Sequence, residues 1–560
     1  VLPHAGLILV PYQGYEGTGY AKKVQIIDLN EKTLKKRGVI EHALQPRRAT
    51  EYQDFIMSIS GQELLSVDAT NRDKPVVKGK VELAWFVDQI IPFGDHLLQL
   101  ARGSNWYFGE QRGPSLRVAA KADPDDALGS LILEHNAYLS GATVRGDKLY
   151  LLQTQSYHAA NPKPVPEKGE ENGEEKPEPE PNPNLFLTVV DLAKLPALSV
   201  ISEVALVDER MGWNNQFKAN WPGDGSLLWS NKGGHRYWGW PWIMDDIGGM
   251  PDIWWPGYGG GAGQLICFDV ADPAKPALAS NVNLSVEDED ENEEDKKRRR
   301  YVSRWNFSEA ILNDNGLVYL SSQHSEYLAP EEEEEKPKDD DEDEEEDPDE
   351  PIEKPKPRPE PIPKPHGYWV TRYELHVVDY TDPADPVVRD TVAIPGSLIG
   401  TSHGGALLYT NGSHWNEERK WDGNWFDASS YDGLEAHLVD SIEQPNSWPQ
   451  SHVMKSDGIL FLSFTERTKV LKEDGGVLRY DTQPYLQSFA LDENGKFTLL
   501  DEIEPEKDIQ QLKLIGGNLV GMDNLRGVTL FDTTDPDALR VAGKAKFEGC
   551  LWFNLENAVD

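Results

Sequence analysis

Apolar and polar residues alternate with a period of two through most of this chain, in runs short enough for strands and too short for helices. Six stretches share one form: ELLSVDATNRDKPVVKGKVEL, LRVAAKADPDDALGSLILE, LFLTVVDLAKLPALSVISEVAL, LICFDVADPAKPALASNVNL, LHVVDYTDPADPVVRDTVAI and VTLFDTTDPDALRVAGKAKF. Each reads as an apolar strand ending in Asp, then a small loop with Asp-Pro or Lys-Pro (Leu-Pro in LFLTVVDLAKLPALSVISEVAL), then a second alternating strand. Asp bonds to backbone two residues on and Pro pre-sets φ, so the loop predicts a tight hairpin turn.

Upstream of each lies another pair of runs joined by Gly-Asp, Asn-Gly, Asp-Gly or Gly-Gly, as in YLSGATVRGDKLYLLQTQ and SHVMKSDGILFLSFTE. These dipeptides suit two-residue hairpin turns. Four short strands per repeat predict the blade of a β-propeller, and no helix period appears. The expected fold is therefore all-β, a single large β-propeller over 1–560. Repeats begin near residues 5, 49, 85, 136, 213, 304, 398, 448 and 508, which gives eight or nine blades. The seventh lacks a clear outer strand at EAHLVDSIEQP. The chain opens at a second-strand position, AGLILVPYQG, and finishes on a first strand without successor, Leu551–Asp560. Joined, NLENAVD and VLPHAGLILV predict one hairpin that closes the ring without a free edge.

The net charge of −41 is unevenly spread. Segments 161–180, 331–350 and 287–300 carry −4, −14 and −3, about half of the total. The remainder is ordinary for a soluble protein. An acidic field repels phosphates, so neither nucleic acid nor an anionic membrane is an expected partner. The basic run Lys296–Arg300 follows eight acids and reads as locally neutralised. No apolar run reaches the length of a transmembrane segment. Val1 opens almost directly into a strand, without start Met or signal peptide, which reads as a mature or excised region. Of the two cysteines, Cys267 lies in an apolar run and reads as a buried thiol; a disulfide to Cys550 is the alternative.

The hairpins ICFDVADPAKPALAS and LHVVDYTDPADPVV resemble the LVIVD-repeat family of secreted or surface β-propellers, a likeness that covers six of the nine units. The resemblance implies a propeller in an extracellular, cell-surface or periplasmic setting and a binding role. It supplies no catalytic residues.

Insertions leave the repeats between their second and third strands. Those at 159–184 and 328–367 are rich in Pro, Glu, Lys and Asp, cannot bury apolar surface, and read as solvated loops; a further charged loop covers 286–301. Functionally they would be a polyanionic brush for basic partners. Their dense carboxylates suit weak, diffuse Ca²⁺ binding, without the spacing of a dedicated loop. No other cofactor is expected.

The insertion at 231–262 differs. Trp238, Trp240, Trp242, Trp254, Trp255 and Tyr258 stand among glycines, with His235 and Arg236 beside them. Indole faces stack on sugar rings or anchor a protein partner; buried, they would form a small core that packs the loop on the ring. Trp415, Trp421 and Trp425 leave the seventh repeat at the corresponding position. These eleven residues are the candidate ligand-binding set.

Histidines at inner-strand ends, His324, His403, His414 and His452, come from three of the repeats and would converge to bind a metal only near the ring axis. Metal-ligand spacing, a nucleophile elbow and a phosphate loop are all missing. The favoured function is a non-catalytic binding or scaffolding module for a protein or glycan. The alternative is an enzyme acting on an extracellular polysaccharide at the central funnel.

Overall fold

A computed structural model describes the chain except residues 17–18, 31–32, 43–44, 62, 84–86, 104–112, 134, 136, 162–179, 213–215, 232–262, 285–302, 329–367, 416–420, 445–449, 456–457, 472–476, 524–526 and 547–560. The described residues form nine antiparallel sheets in chain order, within 7–41, 46–82, 89–132, 138–206, 217–283, 303–394, 397–444, 450–503 and 509–546. They are numbered here as sheets 1 to 9. Eight have four up-and-down strand positions, and sheet 1 has three. In sheet 6 both outer positions are broken in two, Ser303–Phe307 with Ile311–Leu312 and Val387–Val388 with Val392–Ile394. Helix is confined, among the described residues, to single turns such as Tyr157–Ala160.

Eight first strands or their equivalents begin within four residues of the positions read from the repeats; Pro46, Gln89, Tyr138 and Phe217 are examples. The outer strand of sheet 7 does form, as Ala436–Gln444. It is an edge strand with little burial, so selection for alternation is weak there and its pattern is faint.

Consecutive sheets pack face to face. Leu187 and Val189 of sheet 4 meet Trp229 and Ile266 of sheet 5 in one cluster, while Leu228, Leu265 and Cys267 point the other way, to Val318 and Val378 of sheet 6. Side chains alternate along a strand, so a sheet buried on both faces feeds two cores. Similar clusters join sheets 1 and 2, 3 and 4, 6 and 7, 7 and 8, and 8 and 9. At Gly141 a Cβ would sit 2.5 Å from the Trp229 ring, so only glycine lets the indole seat between sheets 4 and 5.

The repeated Asp has a visible purpose. The carboxylates of Asp68, Asp191, Asp269, Asp379 and Asp532 each accept from the backbone N–H two residues on, at 2.9–3.2 Å. The Asp of Asp-Pro does the same at Asp272, Asp382 and Asp535. With bonds from Thr534 and Arg540 as well, Asp532 is held down to about 2. Sheet 3 departs from the expectation. Its third strand ends in Ala120 rather than Asp, so no carboxylate sets the turn; Ala120 pairs directly with Asp123, and Asp123-Pro124 lie inside the next strand.

These turns also latch neighbouring sheets. A bulge in the outer strand pair turns one residue toward the next sheet's turn. Ser202 donates to Pro273 O at 2.6 Å and Ser280 to Pro383 O at 2.8 Å. Asp440 and Asp501 instead accept from Phe497 N and Leu539 N, at 2.9 and 2.7 Å. Gly38 donates its N–H to Arg72 O at 2.8 Å. Gly543 holds the matching place in sheet 9, with no described atom within 4 Å of where its Cβ would stand.

Cys267 is a free, fully buried thiol, and burial pushes it up to about 12. Cys550 and the closing segment Asn554–Asp560 lie outside the described residues.

Candidate ligand-binding rim

The connections between second and third strands leave the sheets at a common end, and the core changes character there. Mid-strand positions are Leu, Val, Ile and Phe. Toward the exit they become buried Ser58, Gln153, Ser230, Ser322, Thr410 and Ser463. Buried polar groups carry a cost unless bonded, so such a layer implies hydrogen-bond partners.

Sheet 7 shows the most developed part of this rim. Its inner hairpin, Leu407–Trp415 with Trp421–Tyr431, runs beyond the first strand Ser397–Ser402, whose ladder stops at Asn411. In the register Thr410 faces Asp427, Gly412 faces Trp425 and His414 faces Gly423, so these side-chain positions share one face. Gly412 is required: a Cβ there would lie 2.6 Å from Pro395 O of the sheet 6–7 link. Its lack of side chain leaves His414 free to reach back to Asp427.

The Asp427 carboxylate is wholly buried. It accepts from His414 Nε2 at 3.0 Å and from Ser441 Oγ at 2.6 Å. A carboxylate accepts only, so Nε2 of His414 carries a proton, and in the neutral imidazole Nδ1 then holds the lone pair. The imidazole lies 5.3 Å from the Trp425 ring at 11°, a stacked pair. Trp425 Nε1 donates to Asp422 O at 3.4 Å, and Ser413 Oγ donates to Asn424 Oδ1 at 2.6 Å. Both rings are partly exposed, the imidazole by 26 %. The arrangement is a small aromatic platform whose orientation is set from below by a buried anion.

A second polar node sits where sheets 4 and 5 meet. Asp208, nearly buried, accepts from Gln264 Nε2, from Asn281 Nδ2 at 3.1 Å and from Arg210 N at 3.0 Å. Gln264 opens the third strand of sheet 5, and Asn231 closes the second. They flank the 231–262 insertion.

Of the candidate set, the structure places Trp425 on the platform. Trp415 and Trp421 are register partners at the hairpin end, with only their backbone described. His235, Arg236, Trp238, Trp240, Trp242, Trp254, Trp255 and Tyr258 lie outside the described residues. The four histidines are dispersed in role. His414 belongs to the platform, His452 packs edge-on to Phe426, and His403 is an exposed turn residue bonded to Ser402. His324 is on the second strand of sheet 6. Among the described residues no group of three or more His, Cys, Asp or Glu side chains is arranged to hold a metal ion.

Two buried Ser–His pairs went unread in the sequence. His376 Nε2 lies 2.8 Å from Ser322 Oγ, and burial brings it down to about 4. His42 Nε2 lies 2.6 Å from Ser58 Oγ, with Nδ1 3.3 Å from Glu63, which also binds Lys80 at 2.6 Å. Burial lowers His42 against the opposing pull of Glu63.

No protein-family model and no curated protein matches the chain. Solved structures similar to it are of β-propeller type. They include the periplasmic gluconolactonase PpgL of Pseudomonas aeruginosa, at 12 % identity over 80 % of this chain and 95 % of that one, TM-score 0.36. BamB of Moraxella catarrhalis matches at 8 % over 85 % and 90 %, TM-score 0.34, and AztD of Citrobacter koseri at 10 % over 90 % and 95 %, TM-score 0.30. Likeness at this level carries no functional argument, and the propeller reading stands on the nine sheets themselves. No helix among the described residues is long and apolar enough to cross a membrane.

Proposed function

We propose that this protein is an extracytoplasmic binding propeller that takes a protein or glycan partner on the rim where second and third strands connect. The observation that carries the reading is the His414–Trp425 stack, seated on buried Asp427 and partly open to solvent. Such a pre-set aromatic surface is what a binding site needs and what a packing core does not. The segment 231–262 links the second and third strands of sheet 5, and in this reading its tryptophans serve the same rim. The extracytoplasmic setting rests on the resemblance of the Asp-Pro hairpins to surface propellers.

The ring is read as closed by the chain's own ends. Asp28 stands at the end of the strand Gly19–Leu29 as Asp68 and Asp532 end third strands, so Leu7–Glu16 reads as a second strand, and sheet 1 has no first strand among the described residues. Leu551–Asp560 supplies it in this reading.

The test compares the intact protein with a variant lacking 231–262, by pull-down and on a glycan array. Loss of a captured partner supports the rim; unchanged binding dismisses the aromatic insertion. The Asp427–His414 pair favours a second reading, since an imidazole oriented by a carboxylate is also a general base. Turnover of a polysaccharide that disappears in H414F would replace binding by catalysis.

A further inference from the structure

We propose that the sheet 7 platform is a subsite for a neutral sugar ring, which rests on Trp425 and donates a hydroxyl to His414 Nδ1. This names the ligand class of the rim site and rests on the binding reading above.

Three observations carry it. The first is polarity of the acceptor. Asp427 accepts from Nε2–H, so in the neutral imidazole Nδ1 of His414 is an acceptor, and its complement is a donor such as a hydroxyl. The bond from Ser441 Oγ occupies the other Asp427 oxygen and holds the carboxylate against rotation. The second is shape. His414 and Trp425 stand opposite Gly423 and Gly412 within the hairpin, so among the described residues neither ring is covered by a side chain across that strand pair. The indole is pinned through Nε1 to Asp422 O. A flat, fixed aromatic face beside one acceptor suits the C–H face of a pyranose and an adjacent hydroxyl.

The third is charge. Glu443 is the register partner of Trp425, and its Oε1 lies 3.5 Å from where a Cβ of Gly423 would stand. With Asp422 beside it and Asp427 beneath, the described surroundings are acidic in a chain of net −41. An anionic sugar or a phosphate is repelled there. A neutral polyol meets no such penalty.

Isothermal titration of the full chain with neutral β-glucan hexasaccharides, oligogalacturonate and chitosan oligomers tests the proposal. Binding of the neutral series is expected, with W425A weaker by about tenfold or more, the loss of one stacked aromatic contact. D427N is the sharper probe. Its amide donates toward Nε2, moves the imidazole proton to Nδ1 and turns the acceptor into a donor, so affinity falls by a similar factor while the fold and the stack persist. Should D427N not fold, H414F keeps the stacked ring and removes the acceptor. Neutral glycan bound equally by W425A and H414F overturns the subsite and leaves a binding rim elsewhere. Preference for the acidic or cationic oligomers overturns the ligand class. Absence of any glycan binding alongside capture of a protein partner overturns the proposal and leaves the binding reading intact.

Discussion

His376 offers a stability test whose size follows from its surroundings. Its ring is 3 % exposed, tilted 5.4 Å from Phe307 in the core between sheets 5 and 6, with Ser322 as hydrogen-bond partner. Burial alone brings it to about 4, against an ordinary value of 6.5. The native state therefore resists a proton that the unfolded chain accepts. Above about pH 6.5 neither state is protonated and the site contributes no pH dependence. As pH falls from 6.5 toward 4 the unfolded chain gains the proton first, and native stability drops. Over that window the loss is about 3 kcal/mol. Many carboxylates titrate over the same range, so the informative quantity is a difference. Urea unfolding of wild type and H376F, followed by near-UV circular dichroism at several pH values from 7.5 to 4.5, isolates it. H376F replaces the imidazole by an apolar ring of similar shape and removes the titration. Its midpoint should hold up better than wild type on acidification, the gap widening steadily below pH 6.5. Parallel pH profiles for the two proteins would refute the burial argument. His42 titrates with the same sign, so some acid sensitivity remains in H376F.

Further outcomes follow from packing. Trp229→Ala empties the seat between sheets 4 and 5 and should cost about 3–5 kcal/mol, read as a lower thermal midpoint. Ser280→Ala removes one inter-sheet latch and should cost about 1 kcal/mol, whereas Gly129→Val drives a side chain into Pro196 O and should cost more. Cys267 should resist alkylation at pH 8 in the native protein and react once urea unfolds it, which peptide mass spectrometry of the labelled chain can follow.

Local chemistry was the legible part of this chain. Asp68, Asp269 and Asp532 announce their turns because the bond each makes is to a residue two places away, so the code is contained in a few letters. Sheet 3 was misread for the same reason: Asp123-Pro124 looks like a turn, but the strand before it lacks the capping Asp. The platform was only half legible. Trp425 stands out by composition, and His414 by position. Asp427 is one of 96 acids until the ladder sets it opposite Thr410 and beneath the imidazole. Ser441 joins only through the next strand. The Ser58–His42 pair likewise spans sheets 1 and 2, a contact that no spacing rule encodes.

Hydrogen exchange by mass spectrometry, on the full chain and on one lacking 551–560, addresses ring closure most directly. In an antiparallel ladder alternate amides point to opposite neighbours. About half of those in Leu7–Glu16 pair with Gly19–Leu29, and the rest face the other side of the strand, where among the described residues only Leu7 N–H has a partner, Leu2 O. With the chain ends paired, nearly all amides of Leu7–Val10 are slow in the full chain, and Leu9, whose N–H points outward without the bond that Leu7 makes to Leu2 O, becomes fast on truncation. Identical exchange in both proteins, with 551–560 itself unprotected, would contradict the closed ring.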